Sequence, residues 1–371
     1  MARVTLVLAP LFCWAGIVAL PACAPASDPM GASSAAPAPK ADGFDDQNQP
    51  VIPGLAVELA FLKLPTSGAP THKPWTGWWW PFDHHNDKEK QGIAYAWLPD
   101  EPSPAHKYDA AFPAKYRAAD WEIANHGQGD NWYGHCDGWS LASATTPEPM
   151  VSVASNGVCF RPNDVKALLT ESFECDMTGQ QVTLLGQECD LTQLDADRSG
   201  RVIDVACRDV NPGLFHLTLT NLLGLHGRGL FFDRQTSVEI WNYPISSYTS
   251  TVDEPRAPYD AELALAAKGT VKIVEVSTSI TFVREKEPSP TREQVESTES
   301  YDYTLELDDE GRIIGGEWRG SSQMNHPDAL KVPAADARPQ HVPGPCNNPY
   351  LDFAHVLDLA RRSASGAADE C

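Results

Sequence analysis

Apolar and polar residues alternate along VKIVEVSTSITFVRE, residues 271–285, and again along YDYTLELDDEGRIIGGEW, residues 301–318. A period of two is the mark of half-buried strands, and the second run breaks at Asp308 to Gly311, a hairpin turn signal. Short apolar runs at Phe215 to Leu223, Gly229 to Phe232 and Val238 to Trp241, separated by Gly, Arg and Asp, predict three neighbouring antiparallel strands. NDVKALLTES, from Asn163 to Ser172, instead carries helical spacing at Val165, Leu168 and Leu169, with Asn163 or Asp164 as cap. Residues 51–125 mix Trp75, Trp78, Trp79, Trp80 and Phe82 with prolines and show no clean period, which predicts irregular packed structure. EKEPSPTREQVESTES reads as a charged loop, and no repeat of solenoid length occurs. The elements describe an α+β protein with an antiparallel sheet and a sheet-rich C-terminal half.

The first residues, MARVTLVLAPLFCWAGIVALPAC, place Arg3 before an apolar run and small residues, as in a secretory signal over 1–22. Leu20 to Cys23 resembles a bacterial lipobox, so Cys23 is a candidate lipid anchor. Pro21 is unusual there, and ordinary cleavage with secretion stays open. Residues 23–50 are rich in Ala, Pro and Ser and predict a flexible linker, followed by a catalytic-size region over 51–345 and a tail over 346–371. With 28 Lys and Arg against 50 Asp and Glu, the net charge is −22, which excludes a phosphate-neutralising nucleic-acid surface. Export agrees with the nine cysteines. Cys159, Cys175, Cys189 and Cys207 suggest two local disulfides and Cys346 with Cys371 a third, and no CxxC pair supports zinc.

Cys136 stands apart from that set. It lies in NWYGHCDGWSLASA, where glycines and aromatics deliver one cysteine to the start of a helix-compatible segment. A helix N-terminus favours a thiolate and offers N–H groups to an oxyanion. The candidate base is His216, on the strand predicted for NPGLFHLTLTNLLG, and the candidate orienting carboxylate is Asp233, on the strand that follows. Cys136, His216 and Asp233 would then form a cysteine triad, with the bland alternatives a disulfide half, a core imidazole and a turn former.

Several separated motifs resemble, in order, the transglutaminase elicitor family, papain-like transglutaminases of oomycetes and bacteria. They are WYGHCDGWSLASA, TPEP, NGVCFRPNDVKALLT, CRDVNPGLFHLTLTNLLG, FFDRQTSVEIWNYP, GGEW and HPD, spread over residues 132–328. The resemblance implies a papain-like core and a protein-glutamine γ-glutamyltransferase that needs no cofactor for catalysis. It implies a glutamine donor and a lysine amine as partners, with Cys136 as nucleophile, His216 as base and Asp233 as third member. Asn242 is the alternative orienting residue. Gln128 and Trp132 are candidates for the second oxyanion donor, and Trp132, Trp139 and Trp241 for the cleft walls. After Trp241 and Asn242 this chain has Tyr243 and Pro244 where the oomycete members carry Gln-Pro and a basic residue, which argues against elicitor behaviour.

DADRSGRVID offers a shortened calcium loop, with Asp195, Asp197, Ser199 and the Arg201 carbonyl as candidate ligands for a structural Ca2+ and an acidic turn as the alternative. His84 and His85, being adjacent, point differently and suit a polar surface, and His135 is expected to line the cleft. Two rivals remain: a cysteine protease or amidase using water as acceptor, and a non-catalytic surface lipoprotein binding polymer through its aromatics.

Overall fold

The alternation seen in the C-terminal sequence becomes a sheet of long antiparallel strands in the computed structural model. The structure describes residues 43–44, 48–82, 91–126, 130–174, 181–186, 195, 207, 209–236, 239–341, 346–366 and 371. In chain order the elements are β1 (Ser67–Gly68), α1 (Pro104–Ala111), α2 (Ala118–Asn125), α3 (Cys136–Thr145), β2 (Val153–Ser155), β3 (Val158–Phe160), α4 (Pro162–Ser172) and β4 (Val182–Gly186). They continue with α5 (Pro212–Leu219), β5 (Phe231–Asp233), β6 (Asn242–Val252), α6 (Asp260–Leu263), β7 (Lys272–Val283), β8 (Glu296–Leu307), β9 (Ile313–Trp318), β10 (Ala329–Pro333) and α7 (Phe353–Ala364).

The main sheet runs β4-β10-β5-β6-β7-β8-β9, with β1 added to β6, and every pairing is antiparallel. On β7 the alternate residues Val274, Val276, Thr278, Ile280 and Phe282 are buried, as their spacing predicts. The turn between β8 and β9 closes with Asp308 Oδ1 accepting from Glu310 N at 3.0 Å and Arg312 N at 2.8 Å, while Gly311 takes a φ of 76°. Helix α3 packs over β10, β5 and the start of β6 with α4 against its other side, whereas α5 lies on β8 and β9. Two halves of one sheet thus carry two different helical caps.

The α4 helix forms where its spacing places it. Asp164 supplies the cap, accepting from Arg161 N at 2.8 Å and from Trp97 Nε1 at 2.8 Å, with Lys107 Nζ 2.6 Å away. The segment around His216, expected as a strand, is helical. Asn211 Oδ1 accepts from Gly213 N at 2.8 Å, Pro212 occupies the first turn, and the helix runs on into a π-helical turn over Thr220–Leu225. All residues from Pro212 to Leu219 are buried, polar and apolar alike, and the alternation of Phe215, Leu217 and Leu219 with His216, Thr218 and Thr220 imitates a strand within a helix. The strand expected over 238–241 is also absent among the described residues; β6 begins only at Asn242.

Both boundaries of the expected central region move outward. Gly43 bridges to Gly315, and buried Asn48 accepts from Asn211 N at 2.6 Å, so the body already includes part of 23–50. Residues 104–125, expected to be irregular, hold α1 and α2. The tail is integral: α7 buries Phe353, Val356, Leu359 and Ala360 on one stripe, and Cys371 is disulfide-bonded to Cys159. That bond replaces the expected Cys346–Cys371 pair, and Cys207 and Cys346 each take part in a disulfide as well. The signal, Cys23, Cys175 and Cys189 lie outside the described residues. No helix among the described residues is long and apolar enough to cross a membrane.

Candidate active site around Cys136

The approach of the chain to α3 leaves little room for alternatives. Gly134 pairs with Pro81, and a Cβ there would stand 2.6 Å from the Trp79 carbonyl oxygen, so only glycine fits. His135 N then donates to that same carbonyl at 2.5 Å, and the helix begins at Cys136. At Gly138 a Cβ would meet the Thr170 carbonyl oxygen at 2.2 Å, which lets α3 lie directly against α4. The first helical residue is therefore held by backbone on both sides.

Cys136 is a free, buried thiol. Its Sγ donates to the Ile240 carbonyl at 3.6 Å and accepts from Asn242 Nδ2 at 3.8 Å. Asn242 Nδ2 also donates to Asp137 Oδ1, from which Lys331 Nζ on β10 lies 3.5 Å away. The Asn242 backbone carbonyl accepts from Ser140 Oγ at 2.8 Å, fixing β6 to α3. Asn242 Oδ1 is buried and makes no hydrogen bond among the described residues. Across the β5–β6 ladder Asn242 faces Asp233, whose Oδ1 accepts from Trp241 N at 3.0 Å. Burial pushes the Cys136 thiol well up, and the neighbouring Asp137 pushes it the same way, against the Asn242 contact. The resting sulfur is consequently a thiol.

Of the residues named from sequence, Cys136, Asp233, Trp241 and Asn242 come together. His216 does not join them. Its Nδ1 is 2.8 Å from Tyr303 Oη, which continues to Thr278 Oγ1 at 2.7 Å and on to Ser250 Oγ at 2.7 Å. Ser250 lies eight positions along β6 from Asn242, roughly 25 Å at strand rise, so His216 and Cys136 share no hydrogen bond. Burial lowers the His216 pKa to about 3, which makes it a neutral, enclosed imidazole. The structure therefore does not bring His216, expected as base from its strand placement and from the family resemblance, to this sulfur.

The walls differ as well. Trp139 points into the core, fully buried, with Nε1 donating to the Trp75 carbonyl at 3.3 Å. Trp241 is partly exposed and meets Trp79 edge-on at 5.4 Å between centroids, so Trp79 and Trp241 form the aromatic wall. Trp132 is half-buried against Tyr133. His135, expected in the cleft, is fully buried among acidic side chains behind α3. Asp195 is exposed, while Gln128, Asp197, Ser199, Arg201, His84 and His85 lie outside the described residues. Sequence reasoning missed Asp137 and Lys331. A lysine in the otherwise apolar run ALKV was the available signal.

The transglutaminase elicitor family model matches residues 124–364. The chain is also similar to a solved structure described as the GP42 transglutaminase from Phytophthora sojae. The two share 24% identity and a TM-score of 0.65 over 85% of this chain and 96% of that one. No curated protein matches the chain.

Proposed function

Because the chain belongs to the transglutaminase elicitor family, we propose that it is a protein-glutamine γ-glutamyltransferase in which Cys136 carries the acyl group. The observation that supports this reading best is the free thiol at the first residue of α3, touched by the Asn242 side chain and fixed by close backbone packing. In the first half-reaction the sulfur attacks a glutamine γ-carboxamide, the C–N bond breaks, and ammonia leaves with the thiol proton. An amine then attacks the thioester, the C–S bond breaks, and the thiol is restored. Asn242 suits the substrate amide: its Oδ1 accepts from the carboxamide NH2 while its Nδ2 faces the sulfur. Substrate displaces the Ile240 carbonyl from the thiol, which removes the contact that holds the proton in the resting state. Trp79 and Trp241 shelter the thioester from water and so favour amine over hydrolysis. Export with a membrane tether through Cys23 belongs to the same reading and rests on the N-terminal sequence.

The test is incubation with a glutamine-containing peptide and a fluorescent amine, with the thioester trapped for mass spectrometry. Amine incorporation that disappears in Cys136→Ala is expected. Glutamine deamidation or peptide cleavage without incorporation would make the protein an amidase or protease. No acyl adduct on Cys136 with any glutamine peptide would leave a surface-binding protein.

A further inference from the structure

Behind the nucleophile helix, on the side away from Asn242, lies a second group of side chains that acyl transfer does not use. Glu122 and His126 come from α2 and its C-terminal cap, His135 is the residue before Cys136, and Glu171 is in the last turn of α4. Glu122, His135 and Glu171 are fully buried and His126 is 4% exposed. Each offers one donor atom, and the four atoms lie within 4.8 Å of one another. His126 Nδ1 is 3.3 Å from Glu122 Oε1 and 3.8 Å from Glu171 Oε2; His135 Nδ1 is 3.2 Å from Glu171 Oε2. Donor atoms around a tetrahedral ion at metal distances of about 2.0–2.1 Å stand roughly 3.3 Å apart, as the 3.2 and 3.3 Å pairs do, and the wider pairs would have to draw in around an ion.

Hydrogen-bond accounting points the same way. Glu171 Oε1 accepts from Asn348 N at 2.6 Å, but its Oε2 makes no hydrogen bond among the described residues. Nor does His135 Nδ1, although Glu171 Oε2 and Glu174 Oε2, at 3.2 and 3.3 Å, both face it. The other ring nitrogen, Nε2, pairs with Glu122 Oε1 at 3.0 Å. With the ring proton on Nε2 alone, the Nδ1 lone pair confronts carboxylate lone pairs, an arrangement that a bound metal ion satisfies; a second ring proton on Nδ1, shared with Glu171 and Glu174, is the alternative. The carboxylates are also held from outside, as metal ligands are: Ile93 N donates to Glu122 Oε1 at 3.1 Å, and Asn348 orients Glu171. Phe82 stacks on His126 at 4.4 Å and meets His135 edge-on at 4.7 Å, an apolar lid. Gly92, with a φ of 49°, packs so closely that a Cβ would stand 2.0 Å from Glu122 Oε1.

We propose that Glu122, His126, His135 and Glu171 bind one divalent transition-metal ion that locks α2 and α4 to the start of the Cys136 helix. Two imidazoles and two carboxylates suit Zn2+ or Mn2+; Ca2+ and Mg2+ take all-oxygen sites. The ion sits behind the nucleophile rather than in the cleft, so its role is to fix the helix.

The test is elemental analysis of the purified full chain, followed by chelation with dipicolinate and stepwise return of Zn2+, Mn2+ or Co2+. About one equivalent of ion is expected, with a melting temperature that falls on chelation and recovers at stoichiometric return. Cobalt-loaded protein should show visible d–d bands of a low-symmetry N/O site. Cys136→Ala should bind equally, which separates this inference from the acyl-transfer reading. Glu171→Gln and His126→Gln should lose the stoichiometric ion. Should either variant fail to fold, the cobalt spectrum of the unaltered chain decides. A metal-free protein whose melting is indifferent to chelator and to all three ions would overturn the proposal, leaving an imidazolium shared among carboxylates.

Discussion

Cys136 and His216 both sit on short buried helices laid on the same sheet, yet their polar atoms end in different kinds of circuit. The sulfur touches one amide and one carbonyl, and beyond them lie Asn242 Oδ1, an acceptor without a hydrogen bond among the described residues, a carboxylate and a lysine. His216 feeds a closed chain of Tyr303, Thr278 and Ser250 hydroxyls, with Phe61 packed nearby. One arrangement leaves a buried acceptor beside the reactive atom, and the other ties the imidazole Nδ1 into a run of hydroxyls. The presence of a nucleophile, an imidazole and a carboxylate in one chain is therefore a weaker sign of a site than unspent polar capacity beside one reactive atom.

The sulfur end should yield the largest effect. Asn242→Ala removes the amide from the thiol and from the incoming carboxamide, so acyl transfer should fall about 100-fold, as for loss of one preorganised donor. Steady-state rates with a glutamine peptide, beside the melting temperature, check this. A rate within twofold of the parent would mean that Asn242 only spaces β6 from α3.

His216→Gln draws the contrast from the other end. Gln can keep a bond to Tyr303 Oη, and nothing at the sulfur changes, so the transfer rate should stay within about threefold of the parent. Stability should fall by about 1–2 kcal/mol for a buried hydrogen bond remade imperfectly. A base in a working triad would instead cost on the order of 10⁴ in rate. A loss of that size without unfolding would restore His216 to the chemistry and require the two helices to approach in the active form.

Much of this contrast was already visible in the chain, and the part that was not has a definite cause. Strands β7, β8 and β9 are half-buried, so alternation exposed them, and α4 is amphipathic with Asp164 at its start. Cys136 was legible because flanking glycines on both sides signal close backbone approach. His216 was misplaced because Phe215, Leu217 and Leu219 alternate with His216, Thr218 and Thr220 as on a strand, whereas the helix buries both sets. Asp137 is the next residue along the chain from the sulfur, but Lys331 is joined to it only by the β10–β5–β6 pairing, which no local pattern encodes. His135 reads as polar and adjacent to the nucleophile. Its inward turn is set by the φ of −90° and ψ of 39° at the cap position, a tertiary outcome.

The smallest effect concerns pH at the His216 end. Trp318, which packs on Phe215, also stacks on His326, whose Nδ1 is 2.7 Å from the Ser322 carbonyl and must donate to it. In the neutral ring Nε2 is then a lone pair, and it faces Asp209 Oδ2 at 3.1 Å. Burial lowers His326 to about 4 and raises Asp209 from its ordinary 3.8 to about 7, against a hydrogen bond with Asp328, so at mildly acid pH Asp209 carries a proton that can bridge to that lone pair or to Asp328. Because the folded Asp209 holds its proton more tightly than the unfolded chain, its contribution is fully present below about pH 3.8 and is lost as pH rises through about 7. Asp209→Asn supplies a permanent donor, and Asn tolerates the left-handed φ of 56° at this position. The variant should melt close to the parent at pH 5 and a few degrees above it at pH 8.5. Parallel melting curves across that interval would show that Asp209 is ionised throughout and pairs with a charged His326.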